Sequence, residues 1–453
     1  MQDLTAINEE FPGNIFPADY RLVPGVDEVY ELQLAYLESK LLSPEEITSN
    51  GAFFESIGSN VSKHFVMCTG QSLKLPNHSS SRLRHFFEQN IFKTGYGTHG
   101  LFPYRGKFHP QMVKALLNIM ALKPADTVLD PMMGSGTVCI EACLMGIKSI
   151  GIDASPFCRF MAETKVRALT MNLERAQKAL GNADSVFSYF HEQYTGQKHG
   201  CFPVSPPALS QFLASLSKIG EKHVFGDDVL VSDEDRDLLE TYSLLLLGYL
   251  DAIGYAERSK RKSAHELFRG ILERYLFVCE KIQHYLHEDT RKLAEATLFS
   301  GDARDMALDD HCVDGVLFSP PYSFAVDYIA NDQLHLEALN VDIDELREKM
   351  VGLRGGKKLT DKYYAYRKDM AIVLSECYRV LKPKRFCTIV IGTNSNQVSK
   401  ALGISKENVQ GLDELVRELG QNTGFEFIKQ IDRPINGISN TMRREHIIMM
   451  RKD

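Results

Sequence analysis

The chain has 453 residues, of which 44% are hydrophobic, 25% charged and 9% aromatic; this excludes a disordered, collagen-like or mucin-like polypeptide and implies two or three domains. Lys and Arg number 52 against 59 Asp and Glu, a formal net charge of -7, so nucleic-acid contact requires a local basic surface rather than a global pull. Apolar runs such as Leu244–Leu247 are far too short to span a bilayer, and the first residues lack the basic and apolar regions of a secretory signal.

Residues 1–90 read as an N-terminal extension without a functional signature. "DEVYELQLAYLESKLL" has helical spacing, and the later stretch through "RLRHFF" mixes Ser, Pro and basic residues. From about residue 91 the pattern sharpens. "HPQMVKALLNIMAL" predicts an amphipathic helix, and "DTVLD" a buried parallel strand ending in an acid. "PMMGSGT" is a glycine turn, "VCIEACLMG" a helix, "KSIGID" a second strand ending in an acid, and "SPFCRFMAETKVRAL" a second helix. This β-α-β-α series over 91–169 indicates a Rossmann-like, doubly wound α/β sheet. Residues 170–296 read as a helical insertion. Strands resume over 297–453 at "ATLFS", "VDGVLF" and "RFCTIVIGTN", the last following a helix, "YRKDMAIVLSECYRVL", that "KPK" stops. Two more strands, "FEFIKQIDRPI" and "REHIIMMRKD", close the chain.

Nine cysteines are scattered without a CxxC pair, which argues against a disulfide framework or zinc ribbon and for a reducing cytosol; Cys139 and Cys143, one helical turn apart, read as packing residues. His99, His109 and His335 fall in no H-x-x-H or H-E-x-x-H pattern, so no metal is expected.

Two segments carry chemistry. In Asp130-Pro131-Met132-Met133-Gly134-Ser135-Gly136-Thr137, glycines at a strand end bring backbone N–H groups toward a ligand, and the helix beginning near Thr137 adds a positive dipole end. The spacing is neither a P-loop nor a full dinucleotide fingerprint. Asp153, 23 residues after Asp130 and followed by Ala154, stands where such folds place an acid for ribose hydroxyls. Asp302, followed by Ala303, ends a third strand, where a carboxylate can accept from an adenine amine. The second segment is Ser319-Pro320-Pro321-Tyr322. Two prolines stiffen the backbone and remove two N–H donors, Ser319 offers an acceptor and Tyr322 an aromatic face. Together they suit a planar heterocycle bearing an amino group.

"DPMMGSGT" with "SPPY" resembles the S-adenosylmethionine-dependent amino-methyltransferases of nucleic acids. Their motifs are written D-P-F-x-G-S-G-T and [D/N/S]-P-P-Y, the S-P-P-Y form being typical of cytosine-N4 DNA methyltransferases. "YGTHGLFPYRGKFHPQMV", with Lys107 and Phe108, is similar to the segment that closes over the methionine part of the cofactor in that family. The resemblance spans about 91–169 and 297–453. It implies S-adenosyl-L-methionine as cofactor and double-stranded DNA as partner. In that reading Ser319, Pro320, Pro321 and Tyr322 are catalytic. Asp130, Pro131, Gly134, Ser135, Gly136, Thr137, Asp153, Ala154, Asp302, Ala303, Lys107 and Phe108 hold the cofactor. Met132 stands where the motif carries Phe, and the cofactor motif precedes the catalytic one, the reverse of many cytosine-N4 enzymes. Adenine N6 and an RNA amine stay open as targets. No cysteine follows a proline, which disfavours cytosine-C5 chemistry.

Phosphate contact is expected from Arg354, Lys357, Lys358 and Lys362 within "LRGGKKLTDKYYAYRK", with a tyrosine beside an extruded base, and more weakly from "ERSKRKS" at 257–263. The helical insertion is a candidate target-recognition region.

Overall fold

A computed structural model describes residues 13–26, 28–69, 94–104, 106–196, 212, 214–215, 232–289, 292–322, 327–354, 356, 358–434 and 444–453. The N-terminal extension opens with strand β1 (Tyr20–Leu22), antiparallel to β2 (Phe54–Ile57), which pairs with β3 (Asn60–Val61). Helices α1 (Val29–Leu41) and α2 (Pro44–Asn50) lie between β1 and β2, and α3 (Lys63–Thr69) follows β3. Ser43 and Glu46 start α2 with reciprocal side-chain-to-backbone bonds, and Pro44 sits in its first turn, where no N–H is needed.

The main sheet has seven strands in the order β6-β5-β4-β7-β8-β10-β9. They are β4 (Thr127–Asp130), β5 (Lys148–Asp153), β6 (Ala296–Ser300), β7 (Val313–Phe318), β8 (Leu381–Gly392), β9 (Phe425–Pro434) and β10 (Arg444–Lys452). Strands β6, β5, β4, β7 and β8 are mutually parallel, whereas β10 runs antiparallel to both β8 and β9. Strand β7, "VDGVLF", is buried at every position, as a parallel strand covered on both faces must be. The chain order reverses at β4, so the crevice above the carboxyl ends of β4, β5 and β7 is where a doubly wound sheet receives a ligand.

Helices cover both faces. One face packs against α4 (Pro110–Ile119), α5 (Thr137–Leu144) and the N-terminal extension. Tyr30, Leu34 and Phe54 share a core there with Met112, Leu116, Val138, Leu317 and Ile447. The extension is thus built into the sheet's own core. Asn118 of α4 donates to the buried Glu38 carboxylate at 2.6 Å, and Ala52 N–H donates to it at 3.0 Å; burial lifts the Glu38 carboxyl to about 7. The other face packs against α13 (Leu359–Val380), α14 (Ser395–Leu402) and α15 (Leu412–Thr423), through Met370, Val373, Leu415 and Val416. Between these segments lie α6 (Pro156–Arg167) and the helices α7 (Glu174–Gly181), α8 (Ala183–Thr195), α9 (Asp233–Ser259) and α10 (Ala264–Glu288). The last four are the expected helices of 170–296, and Leu244–Leu247 is buried within α9. Helices α11 (Tyr328–Ala338) and α12 (Ile343–Lys349) follow the Ser319–Tyr322 segment.

Two boundaries differ from expectation. Helix α13 begins at Leu359, seven residues before the "YRKD" stretch, and β8 runs through "KPK" rather than starting after it. The Lys382 ammonium at 2.9 Å and the Arg385 guanidinium at 3.0 Å converge on the nearly buried Asp314 of β7, which keeps that stretch extended. The extra residues are absorbed as an irregularity in the β7–β8 pairing, with Lys384 at φ +63°. Among the described residues, all eight cysteines are free thiols, and no helix is long and apolar enough to cross a membrane.

Candidate active site

A single cavity at the carboxyl edge of the sheet brings both motifs together. Its walls include Asp130, Pro131, Gly134, Ser135, Thr137, Asp153, Ala154, Ala303, Lys107 and Phe108, together with Ser319, Pro320, Pro321 and Tyr322. Gly136 and Asp302 do not line it.

The glycine turn is made by backbone that side chains resist. Gly134 has φ +48° and Gly136 φ +76°, and a Cβ on Gly136 would meet the Ala162 methyl at 2.7 Å, so Gly136 lets α6 pack closely against α5. A Cβ on Gly134 would meet only the Tyr104 ring, at 3.7 Å, on the cavity side. Asp130 closes β4 with its carboxylate accepting from Met132 N–H at 3.1 Å; burial holds its proton affinity well above the ordinary carboxyl range. Asp153 closes β5. One of its oxygens accepts from Gly134 N–H at 2.8 Å and the other from Ser155 N–H at 2.9 Å. Burial raises its proton affinity and the two amides oppose that rise. Helix α6 is capped by Ser155, not by Asp153. A carboxylate oxygen has room for further donors, so Asp153 retains acceptor capacity toward a diol beside an open glycine backbone. Small Ala154 and Ala303 leave space next to it. These features fit an adenosine-bearing ligand.

Asp302 is engaged elsewhere. It accepts from Arg304 Nη2 at 2.6 Å and from Arg304 N–H at 2.9 Å, and the same guanidinium reaches Asp369 at 3.1 Å. Asp302 is paired with Arg304 and does not line the cavity. Lys107 is half-buried, with its ammonium donating to the carbonyls of Thr94 at 2.7 Å and His99 at 3.0 Å. Burial lowers its proton affinity to about 8. Its segment is tied to the helical insertion: Phe102 N–H donates to the Tyr275 hydroxyl at 3.0 Å, and that hydroxyl donates to Asp251 at 3.2 Å, which also pairs with Arg274 at 2.5 Å.

At the other end, Ser319 leaves β7 half-buried, and the Pro321 carbonyl accepts from the Tyr366 hydroxyl of α13 at 3.0 Å. Burial raises the proton affinity of the Tyr322 phenol well above normal, with the nearby Glu445 carboxylate adding to the rise. Sequence reasoning did not find Tyr104, Asp332, Met350 and Val351, which also line the cavity; the Tyr104 hydroxyl donates to Asp332 of α11 at 3.3 Å. Tyr104 lay inside a flagged segment, but α11 and α12 carry no motif.

The basic candidates divide. Arg354 pairs with the buried Asp369, so its charge is largely committed. Lys358 caps α13 and is exposed, Lys362 is half-exposed on its first turn, and Lys357 lies outside the described residues. Of the tyrosines here, Tyr363 and Tyr366 are buried and Tyr364 is exposed. The "ERSKRKS" stretch is the end of α9 and the exposed turn leading to α10, and "RLRHFF" lies outside the described residues. The three histidines have structural partners: His99 meets Glu141 at 2.7 Å, His109 meets Arg433 at 2.6 Å, and His335 meets the Leu250 carbonyl at 3.1 Å.

Residues 101–187 match a family model described as an RMKL-like methyltransferase domain. The type II methyltransferase M.MjaII of Methanocaldococcus jannaschii is 23% identical over 428 residues, covering 74% of this chain and 76% of that protein. The type II methyltransferase M.BsoBI of Geobacillus stearothermophilus is 25% identical over 287 residues, covering 55% and 54%. A tRNA (guanine(10)-N2)-dimethyltransferase of Methanothermobacter thermautotrophicus is 38% identical over 52 residues, 12% of this chain and 16% of that protein. The chain therefore resembles S-adenosylmethionine-dependent methyltransferases of nucleic acids in sequence as well as in motif, and S-adenosyl-L-methionine is the cofactor that fold and matches imply.

Proposed function

We propose that this chain is a DNA methyltransferase that transfers the methyl group of S-adenosylmethionine to the exocyclic N4 of cytosine. The observation that carries the reading is the one cavity lined by both the glycine turn with Asp153 and the Ser319–Tyr322 segment. Asp153 would accept from the ribose hydroxyls, the Gly134 backbone would hold the methionine part, and Lys107 and Phe108 would close over it. When bound, the cofactor supplies a methyl group on a sulfonium sulfur.

An amino group conjugated with a pyrimidine ring is a poor nucleophile. Ser319 Oγ and the Pro320 carbonyl accept its two hydrogens and aim the nitrogen lone pair at the methyl carbon, while Tyr322 stacks on the ring. With the cofactor bound, the methyl group would pass to that nitrogen by direct displacement, and the amine's surplus proton would leave to water. Rate comes from positioning, with no strong base and no metal in the step. The amine is paired inside a duplex, so the base is extruded. Lys357, Lys358 and Lys362 offset that cost at the phosphates, and the helices of 170–296 contact the target sequence. Buried free thiols suit the cytosol.

Nucleoside mass spectrometry of DNA from cells expressing the chain tests the target. N4-methylcytosine supports the proposal, and N6-methyladenine moves it to adenine. A second reading, an RNA amine, is favoured by the short match to the tRNA dimethyltransferase. Methylation of RNA with none on DNA would establish it instead.

A further inference from the structure

Helices α9 and α10 of the insertion reach the cavity by two routes, and both end at Tyr104. The first runs through backbone. Phe102 N–H donates to the Tyr275 hydroxyl of α10 at 3.0 Å, and that hydroxyl donates to the Asp251 carboxylate of α9 at 3.2 Å. Arg274 donates to the same Asp251 oxygen at 2.5 Å and fixes it. Tyr275 and Asp251 are fully buried, so water cannot replace either partner. Phe102 has φ +41°, a left-handed conformation that a side chain resists, and its carbonyl accepts from Tyr104 N–H at 2.9 Å across Pro103. The bond to Tyr275 holds this turn from outside, and the Phe102 ring packs edge-on against Phe157 and His335.

The second route runs through α11. A carbonyl only accepts, so His335 Nε2 donates to the Leu250 carbonyl of α9 at 3.1 Å, and the His335 ring stacks on Phe157 of α6 at 4.8 Å. One turn earlier on α11, Asp332 accepts from the Tyr104 hydroxyl at 3.3 Å. Tyr104 is therefore held at its backbone and at its hydroxyl. Between them its ring faces the glycine turn, where a Cβ on Gly134 would lie 3.7 Å away. Tyr104, Gly134 and Asp332 all line the cavity.

We propose that Tyr275 is a positioning residue of the cofactor site: held by Asp251 and acting through the Phe102 backbone, it keeps the Tyr104 ring beside Gly134, so that the helical insertion shapes the pocket for S-adenosylmethionine. The inference rests on reading the Gly134–Asp153 end of the cavity as the cofactor's place. A ring fixed before the ligand arrives loses no rotamer freedom on binding, and that is the source of the affinity gained.

Calorimetric titration with S-adenosylmethionine tests this through a double-mutant cycle. Tyr275→Phe removes one hydroxyl without opening a cavity, and cofactor binding weakens about five- to tenfold at unchanged stoichiometry. Tyr104→Ala weakens binding by a similar factor, and in that background Tyr275→Phe has no further effect. A Tyr275 that served folding alone would lower the melting temperature and leave the affinity of the folded protein as it was. Affinity of Tyr275→Phe within about twofold of the wild type, whatever its melting temperature, therefore overturns the proposal. Unweakened binding by Tyr104→Ala, or an undiminished Tyr275→Phe effect in the Tyr104→Ala background, overturns it as well. Unchanged binding by Asp153→Ala removes the underlying cofactor-site reading instead, and so separates the two failures.

Discussion

Replacing Asp153 by Ala probes the cofactor site where the structure is most constrained. The carboxylate already accepts from Gly134 N–H at 2.8 Å and Ser155 N–H at 2.9 Å. A ribose diol adds two donors. Bonds to a charged acceptor are worth about 1.5–3 kcal/mol each, so their loss removes at least about 3 kcal/mol. That is roughly a 150-fold weakening of cofactor binding. The variant also strips two amides of their acceptor at the glycine turn, so its melting temperature drops. Asp153→Asn keeps one acceptor oxygen, turns an amide NH₂ toward an N–H, and falls between. Calorimetric titration with S-adenosylmethionine, beside thermal melts of the same samples, gives both quantities. Burial raises the Asp153 proton affinity, so cofactor affinity of the wild type falls as pH drops through that raised value and the Ala variant lacks this fall. Cofactor affinity of Asp153→Ala within threefold of the wild type would refute the assignment.

Three further outcomes are expected. Ser319→Ala keeps cofactor binding and lowers transfer, and Tyr322→Ala does so more severely, because base stacking is worth about 1–3 kcal/mol; joint loss of cofactor binding would make the segment structural. Lys357, Lys358 and Lys362 changed together to Ala weaken DNA binding at every sequence and flatten its salt dependence. Unchanged salt slopes in fluorescence anisotropy would count against that contact. Glu38 holds its proton to about pH 7 in the folded chain and releases it near 4.5 when unfolded, so the native state binds more protons between those values. Stability from this group is greatest below about pH 4.5 and is lost as pH rises to about 7, by about 3 kcal/mol. Denaturant titrations of Glu38→Gln at pH 5 and 7.5 should show a smaller pH-dependent loss than the wild type; an identical one contradicts the burial argument.

What the sequence made readable was local. The turn from Asp130 to Thr137 and the stretch ending at Tyr322 combine strand, break and ligand-facing groups within eight residues or fewer, so their chemistry lies in the order of residue types. Asp153 was legible for the same reason. Asp302 looked equivalent, but its use depends on Arg304 and on Asp369 far along the chain. The helix was expected only from Tyr366, yet buried Tyr363 and Tyr366 extend α13 back to Leu359. Glu445 and Arg433 carried no signal, because their pairing is made by the register of two antiparallel strands and by His109 more than 300 residues away. The described part of the N-terminal extension packs into an apolar face of the sheet, which leaves only amphipathic spacing in the sequence.

That shared face also orders the birth of the molecule. Tyr30, Leu34 and Phe54 pack with Ile431, Ile447 and Met449, so material made early waits for material made last. At roughly 5–20 residues per second, the 378 residues from 69 to 447 take about 20–75 s to synthesise. Through that interval the nascent extension carries an uncovered apolar surface on the ribosome. Its small sheet, β1–β3, is too slight to bury that surface alone. That face is complete only when β9 and β10 have joined it.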